Sequence, residues 1–421
     1  MNYALYLARR LSLSSGGRRR SPAIVVATTA VALSVAVMLA AVSVVGGFKR
    51  EIREKVVGFN SHLTVSAVAP TEGESSDHTS NLVSLTPTFR GILDSEDYVT
   101  DYSLEAAMPA VLKTPSDFKG IYFKALEGET ERRFIGSSIT EGNIPLWKNH
   151  NVSESEDSIL LSASAASQLL LHAGDKVDVY FISDGIRVRR MNVAGVFNTH
   201  FDAYDDVSVY GSKRIVEELS GISADKGTSL RINTVDFDRV EEFGKRLSDR
   251  LASAYAGGEV YRPYRVETAF DRGRSYFSWL SLLDTNVAVV LALMTVVGVV
   301  TLISGLLIII LDKISFVGVM KALGASDRAL GRVFVYLALR VTLVGMTAGN
   351  AFMLLLLWIQ KRWHVLPLDP ESYYIDFVPV EFDWTAVAAI DAGVFFIVWI
   401  SLILPSRFVA RISPAETMRY E

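Results

Sequence analysis

The chain has 421 residues, of which 50% are hydrophobic and 21% are charged, and its mean hydropathy is +0.29. A soluble domain of this length needs more charge to cover its surface, so the composition indicates lipid-facing segments. The formal net charge of -4 is unremarkable. Because the chain has no cysteine, a disulfide framework and a thiolate metal site are both excluded.

Four apolar runs are long enough to cross a membrane, because a bilayer core of about 30 Å needs about 20 residues at helical rise. The first run follows Pro22, which suits a helix start, and is closed by Gly46-Gly47. Three arginines precede it, as in a secretory or twin-arginine signal, but no small-x-small cleavage site follows, so an uncleaved anchor is predicted. The predicted spans are 23–45, 287–311, 333–359 and 385–404.

Lysine and arginine are distributed unevenly among the segments between these spans. The N-terminal tail is rich in arginine and has no acid, and the 312–332 loop and the C-terminal tail are also basic. The 360–384 loop is acidic instead. Since basic segments stay in the cytoplasm, both termini are predicted to be cytoplasmic and the long segment after the first span to be extracytoplasmic.

The long segment has patterns of both strands and helices. Alternating and β-branched runs predict strands at 158–161, 177–182, 186–196 and 230–235. Helices are predicted at 163–171 and 237–252, and Asp184-Gly185 predicts a hairpin turn. The segment 70–81 is rich in Glu, Ser, Thr and Gly and is predicted to be a loop.

The predicted fold is an α-helical membrane domain of four transmembrane helices, with a mixed α/β extracytoplasmic domain inserted between helices 1 and 2. The boundaries are a cytoplasmic tail (1–22), a first helix (23–45), the α/β domain (46–276), a second helix (287–311), a cytoplasmic loop (312–332), a third helix (333–359), a short outer loop (360–384), a fourth helix (385–404) and a cytoplasmic tail (405–421).

No catalytic or metal-binding motif is evident. The chain has no nucleophile elbow, no H-E-x-x-H motif and no phosphate loop, so it is predicted not to be an enzyme and not to bind ATP by that route. His200 is followed by three aspartates at 202, 205 and 206, but a solvated turn explains this cluster better than a metal site.

The loop between the second and third spans predicts a short amphipathic helix. Its apolar residues are interrupted by Lys321, Gly324 suits the position after a helix, and Ser326-Asp327 suits the start of the next one. An interfacial anchor and a helix that docks into a groove on a cytoplasmic partner both fit this pattern.

Several motifs resemble those of one transporter family. The run GVMKALGAS (318–326) resembles the coupling-helix signature of the FtsX-like (type VII) ABC transporter permeases, which share the order of one span, a large domain and three spans. The segments at 47–65, 159–181, 193–210 and 410–421 are similar to those of the lipoprotein-releasing (Lol) permeases within that family. Phe316 stands where many relatives carry an acid, which argues against an ionic contact there.

The resemblance implies a subunit of the bacterial inner membrane with its α/β domain in the periplasm. Two permease subunits, identical or homologous, would pair over a dimer of separate ABC ATPases, which would bind the ATP and Mg, so this chain would hold no cofactor. The complex would extract lipoproteins from the membrane lipid and pass them to a periplasmic carrier, and no nucleic acid is implied. The coupling residues would be Gly318, Val319, Met320, Lys321, Ala322, Leu323, Gly324, Ala325 and Ser326.

By the same resemblance, an apolar cavity for lipoprotein acyl chains would be walled by the outer ends of the first two spans. The implied residues are Val44, Phe48, Ile52, Trp279, Leu280 and Leu283. Simple packing against lipid or protein is the competing interpretation of each of them. Arg340 and Asp391 are charges inside spans, which are costly and usually face protein or water, and their different depths disfavour a direct pair.

Other functions fit parts of the sequence. A macrolide-exporter-type permease acting by mechanotransmission is the nearest alternative, although such proteins typically carry a fused ATPase. A cell-division permease would have a much smaller outer domain. A membrane receptor with a sensing ectodomain is the alternative from another class, and an associated ATPase would separate it from the transporters.

Overall fold

A computed structural model describes residues 22–68, 82–145, 147, 157–183, 185–221, 223 and 225–401. The chain divides into two compact units. The helical unit comprises, among the described residues, 22–50, Trp279–Pro367 and 377–401, and the sheet unit comprises Glu51–Ser278 and Leu368–Asp376. The predicted tails at 1–22 and 405–421 and the predicted loop at 70–81 lie almost wholly outside the described residues.

The helices are α1 (Pro22–Asn60), α2 (Pro87–Asp94), α3 (Glu129–Ser137), α4 (Ala163–Leu169), α5 (Asp202–Asp205), α6 (Lys213–Ser220), α7 (Val240–Ala256), α8 (Ala269–Arg272), α9 (Arg274–Asp312), α10 (Ile314–Ala322), α11 (Asp327–Trp363), α12 (Pro370–Tyr373) and α13 (Trp384–Ser401). The strands are β1 (Leu63–Ala67), β2 (Val83–Ser84), β3 (Val99–Glu105), β4 (Ala107–Lys113), β5 (Phe118–Ala125), β6 (Ile139–Gly142), β7 (Ser158–Ser162), β8 (Lys176–Ile182), β9 (Ile186–Phe197), β10 (Ser208–Gly211), β11 (Lys226–Gly227), β12 (Ser229–Thr234) and β13 (Tyr264–Thr268).

The four apolar helices and the mixed α/β unit predicted from the sequence are confirmed. Helices α1, α9, α11 and α13 are long and apolar enough to cross a membrane. Three of them are longer than the predicted spans: α1, α9 and α11 have 39, 39 and 37 residues. The apolar run shows where a helix can lie in lipid, and the polar turns that extend it leave no hydropathy signal.

The glycine pair that was expected to close the first span does not end the helix. Helix α1 continues through Gly46 and Gly47 to Asn60. A Cβ on Gly47 would lie 2.8 Å from the backbone carbonyl carbon of Pro379 and the backbone nitrogen of Val380. The Glu381 N–H also donates to the Ser43 carbonyl at 3.1 Å. Gly47 is therefore needed for a close crossing of two backbones rather than for a helix stop.

We expect Gly47→Ala to destabilise the helical unit by about 1–3 kcal/mol, because the added methyl group meets backbone that cannot move cheaply. Gly46→Ala is the matched control, since its Cβ would lie 3.4 Å from the flexible Glu381 Oε2. Both variants change helix propensity equally. Thermal unfolding of the detergent-solubilised chain measures the difference, and equal midpoints for the two variants would contradict this interpretation.

The sheet unit contains two larger sheets. One is four-stranded, in the order β13-β1-β12-β3, with antiparallel neighbours. The other has the order β6-β9-β7-β10-β5-β4-β8. Its strands β8 and β9 also pair with each other as an antiparallel hairpin, from Lys176↔Asn192 to Ile182↔Ile186. Because of that pairing, β9, β7, β10, β5, β4 and β8 form a closed ring with β6 added at β9.

Each sheet has its own apolar core. The four-stranded sheet packs Leu63, Leu230 and Ile232 against Phe243 and Leu247 of α7. The closed ring has a separate core built from its strands and from α4 and α6, with members Ile121, Phe123, Ile159, Leu161, Val179, Phe181, Val193, Val209, Leu169 and Ile215. The predicted strands at 158–161, 177–182, 186–196 and 230–235 and the helices at 163–171 and 237–252 are found within a few residues of their expected ends.

A buried ionic cluster lies within the sheet unit. Arg231 of β12 lies 2.5 Å from Glu131 Oε1 of α3, and its Nη2 donates to the carbonyl of Gly58 at 3.1 Å. Burial raises the pKa of Glu131, although the charge of Arg231 opposes the effect. Burial also tends to raise the pKa of Glu105. The positive charges of Lys124 and Arg231 outweigh this effect and hold the pKa of Glu105 below its ordinary value.

The segment Leu368–Asp376, predicted as part of a short loop, belongs to the sheet unit. The Lys55 Nζ donates to the Tyr374 carbonyl at 2.5 Å, and His200 Nε2 lies 3.2 Å from Asp376 Oδ1. Asp205 accepts hydrogen bonds from the Thr199 N–H at 3.0 Å and from the Thr199 hydroxyl at 2.8 Å. His200 and Asp205 are therefore used in ordinary loop contacts.

Candidate functional site

Helix α10 occupies the place of the predicted docking helix, between α9 and α11. It ends in a Schellman motif, because the Gly324 N–H donates to the Lys321 carbonyl and the Ala325 N–H donates to the Met320 carbonyl, both at 2.9 Å. Gly324 has a φ of +90°. An L side chain would be strained at that φ, so glycine is the residue that lets the chain turn into α11.

One side of α10 is packed against its own unit. Val317 and Met320 lie against Ile309 and Ile310 at the end of α9, and against apolar side chains at the start of α11 (Leu330, Phe334 and Leu337). Gly318 is also buried. These contacts fix which face of the helix points away from the protein.

The other side of α10 is an exposed stripe. Val319 is 53% exposed and Leu323 is 77% exposed. Ser315 and Ala322 are exposed at the same helical spacing, and Ser326 is exposed just beyond the helix. We call Val319 and Leu323, with these three small neighbours, the exposed face of α10. None of these five side chains is charged, and the apolar side chains of Val319 and Leu323 suit insertion into a groove.

Two of the implied coupling residues, Met320 and Leu323, lie in different surroundings. Leu323 lies on the exposed face, but Met320 is partly buried among the apolar side chains of α9 and α11. Val319, also one of the implied coupling residues, is exposed four residues before Leu323. The i, i+4 spacing places Val319 on the same side of the helix as Leu323. Periodicity alone does not show whether this side or the side of Val317 and Met320 faces the protein.

Lys321 and Ala325 lie at the corner between α10 and α11. The Lys321 Nζ is 2.8 Å from Asp327 Oδ1, and the lysine side chain is only 9% exposed. Ala325 packs with Met320 against the buried cluster. The predicted cap of α11 is found at Ser326, which has extended backbone, although its side chain makes no capping hydrogen bond.

The residues predicted to wall a cavity are placed differently from one another. In the helical unit, the Phe48 and Trp279 rings meet edge to face at 5.5 Å, and Leu280 is buried. Val44 and Leu283 are partly exposed. Ile52 belongs to the sheet unit and is fully buried. Accessible wall positions in the helical unit are therefore Val44, Trp279 and Leu283.

The two intramembrane charges have separate surroundings. Asp391 of α13 accepts a hydrogen bond from Asn350 Nδ2 of α11 at 2.7 Å. Arg340 lies on an exposed part of α11. Asn350 was not anticipated, because a lone amide in an apolar run does not reveal which neighbouring helix it meets. The pair joins two transmembrane-type helices by a polar contact, as buried amides and carboxyls do in lipid.

Among the described residues, no group of three or more His, Asp or Glu side chains is placed to hold a metal ion. The candidate site is the exposed face of α10.

The chain is similar in sequence to known membrane proteins. Residues 288–414 match the family model of the FtsX-like permease C-terminal domain. The lipoprotein-releasing system transmembrane protein LolC of Xylella fastidiosa is 24% identical over 406 residues, which cover 93% of this chain and 92% of that protein. The corresponding LolE protein of Haemophilus influenzae is 20% identical over 423 residues, which cover 96% of each.

A solved structure of the periplasmic region of MacB from Actinobacillus actinomycetemcomitans aligns with 53% of this chain and 97% of that structure, at 15% identity and a TM-score of 0.35. The family model and the relatives of full length confirm the resemblance that the motifs predicted. Residues 288–414 are thus similar to the FtsX-like permease C-terminal domain, and the chain is similar to the lipoprotein-releasing permeases over most of its length.

Proposed function

We propose that this FtsX-like, Lol-type ABC permease is the membrane subunit of an ATP-driven transporter that extracts outer-membrane-directed lipoproteins from the inner membrane. The observation that carries the proposal is the exposed face of α10. Val319 and Leu323 are held outward by a helix whose opposite side is packed on α9 and α11. A partner that fits this face can push on two membrane helices at once.

Lipoprotein extraction needs an external source of energy. Each acyl CH₂ transferred from lipid to water costs about 0.8 kcal/mol, so three acyl chains do not leave a bilayer on a useful timescale. The proposed source is a dimer of separate ABC ATPases, which binds the ATP and Mg and docks on α10. A second permease subunit, identical or homologous, completes the complex, and a periplasmic carrier receives the lipoprotein.

The proposed orientation follows from the distribution of lysine and arginine. The N-terminal tail, the segment around α10 and the C-terminal tail are basic, so they are assigned to the cytoplasm. The acidic segment between α11 and α13 and the sheet unit are assigned to the periplasm. This orientation puts the exposed face of α10 on the side where ATP is available.

The proposed acyl-chain surface lies in the helical unit, at Val44 and Leu283. Both side chains are apolar and partly exposed, whereas Phe48 and Leu280, about one helical turn away from them in sequence, are buried. An acyl chain needs an apolar wall of this kind, because a polar one would cost free energy for every desolvated group.

A photocrosslinking experiment tests this surface. A photoreactive amino acid at 44 or 283 of the full-length chain, in living cells, should capture lipoproteins. The matched position is Phe396 of α13, which is apolar and more exposed than either. Lipoprotein adducts at 44 and 283 that exceed those at 396 are the expected result. Adducts at 396 alone would place the substrate elsewhere, and no lipoprotein adduct at any position would contradict the proposed function.

A further inference from the structure

We propose that Lys321 and Asp327 form a joint that fixes α10 to α11, so that movement of the docked ATPase is passed to the third membrane helix. The inference rests on the proposed function of α10 and names the residues that transmit force from it. Neither residue belongs to the exposed face of α10, because the Lys321 side chain is almost wholly covered and Asp327 belongs to α11.

The joint spans a turn that would otherwise act as a hinge. Between α10 and α11 the chain has only four residues, 323–326, and Gly324 among them has a φ of +90°. Glycine has the widest conformational freedom of any residue. A push on Leu323 would therefore bend this turn unless other contacts held the two helices at a fixed angle.

Two contacts hold that angle from different sides. The Lys321 Nζ lies 2.8 Å from Asp327 Oδ1, which ties the last turn of α10 to the first turn of α11. Beneath the turn, Met320 and Ala325 pack against Leu330 and the apolar side chains around it. With an ionic contact and an apolar contact on one corner, α10 and the start of α11 move as one body.

The charges also suit the helix ends at which they lie. Lys321 is in the last turn of α10, where the helix dipole is negative, and Asp327 is in the first turn of α11, where it is positive. Asp327 is 52% exposed. Solvent therefore screens the pair, and its contribution to overall stability is small. The ion pair matters instead for the angle between the helices, because it resists rotation of α10 about the turn.

The opposite end of α10 is built differently. Only Lys313 separates α9 from α10, and its Nζ lies 3.0 Å from Asp312, its immediate neighbour in the chain. That ion pair does not bridge two separate turns as Lys321 and Asp327 do. Lys313 therefore provides a matched control at the other end of α10.

The experiment compares Lys321→Met, Asp327→Asn and Lys313→Met in the full-length chain, purified with its ATPase and reconstituted in proteoliposomes. Methionine keeps the apolar stem of lysine and removes its charge. The probe is a fluorescent triacylated lipopeptide, and serum albumin is the soluble acceptor. The quantity measured is lipopeptide released per ATP hydrolysed, in samples matched for bound ATPase.

We expect Lys321→Met and Asp327→Asn to lower this ratio about fivefold or more, which is the lower end of the range for coupling between two sites. The double variant should be no worse than either single variant, because they remove the same contact. Lys321→Arg should retain most of the ratio, and Lys313→Met should resemble the unmodified chain.

Two results would overturn the joint. One is an unchanged ratio in Lys321→Met and Asp327→Asn, and the other is a double variant whose loss is the product of the two single losses. If the unmodified chain brings down no ATPase, the proposed function itself is contradicted. That outcome is distinguishable, because it appears before any variant is compared.

Discussion

Replacing Val319 and Leu323 together by aspartate should release the ATPase from the full-length chain while leaving the membrane helices folded. Burying an apolar side chain of this size is worth about 1.5–3 kcal/mol, so losing both weakens the complex by about 100-fold or more. Two unpaired carboxylates in the groove add a desolvation cost. Copurification of the chain with its ATPase from detergent extracts measures the effect.

The control is the double variant Val365→Asp and Leu366→Asp. These two aliphatic side chains are also largely exposed, at 58% and 56%, and lie beyond the far end of α11. The control should retain its ATPase. If α10 is only an interfacial anchor, the α10 variant would also retain its ATPase, and equal recovery from both variants would exclude the docking role.

Met320→Asp should behave differently from both. Its side chain packs against the ends of α9 and α11, so a carboxylate there lies in an apolar cluster of the chain itself. The expected defect is loss of folded protein rather than selective loss of the ATPase.

Arg231→Met should destabilise the sheet unit by about 3–5 kcal/mol, because it leaves Glu131 buried without its partner. Arg231 and Glu131 have side chains only 8% and 5% exposed. Hydrogen exchange of the β12 amides in the full-length chain measures the free energy of opening. Arg214→Met is the control, since its ion pair with Glu218 is exposed and worth about 0–1 kcal/mol.

Acidification should partly restore the Arg231→Met variant. Burial already raises the pKa of Glu131 above its ordinary value of 4.5, and removing the positive charge raises it further. The folded variant then binds a proton more tightly than the unfolded chain, so its stability rises as the pH falls towards 4.5. A defect that is the same at neutral and mildly acidic pH would contradict this account of Glu131.

The sequence predicts the parts of this protein that depend on local pattern. Hydropathy identifies the four apolar helices, and the alternation around 177–196 identifies the β8–β9 hairpin. Gly324 is recognisable as a helix terminator because only a short turn separates two helical patterns. The pattern around 318–326 predicts a short helix, and α10 is found there.

The remaining features depend on contacts between distant parts of the chain. In the sequence, Gly47 is typical of a helix end. Its actual role depends on the backbone of Pro379 and Val380, which passes close to it. Arg231 lies in a strand whose pattern does not show that its partner, Glu131, is 100 residues earlier. Met320 and Val319 are both apolar, so hydropathy does not show which of them faces the protein. The packing of α10 against α9 and α11 shows that Met320 does.

The most direct test of the central claim is ATP-dependent release of a fluorescent triacylated lipopeptide from proteoliposomes that contain the full-length chain and its copurified ATPase. The account predicts that the lipopeptide appears on soluble albumin when ATP and Mg are added. It also predicts that release stops when Val319 and Leu323 are both replaced by aspartate. Release that is equal with and without ATP, or equal in the unmodified chain and this variant, would contradict a lipoprotein-releasing permease driven through α10.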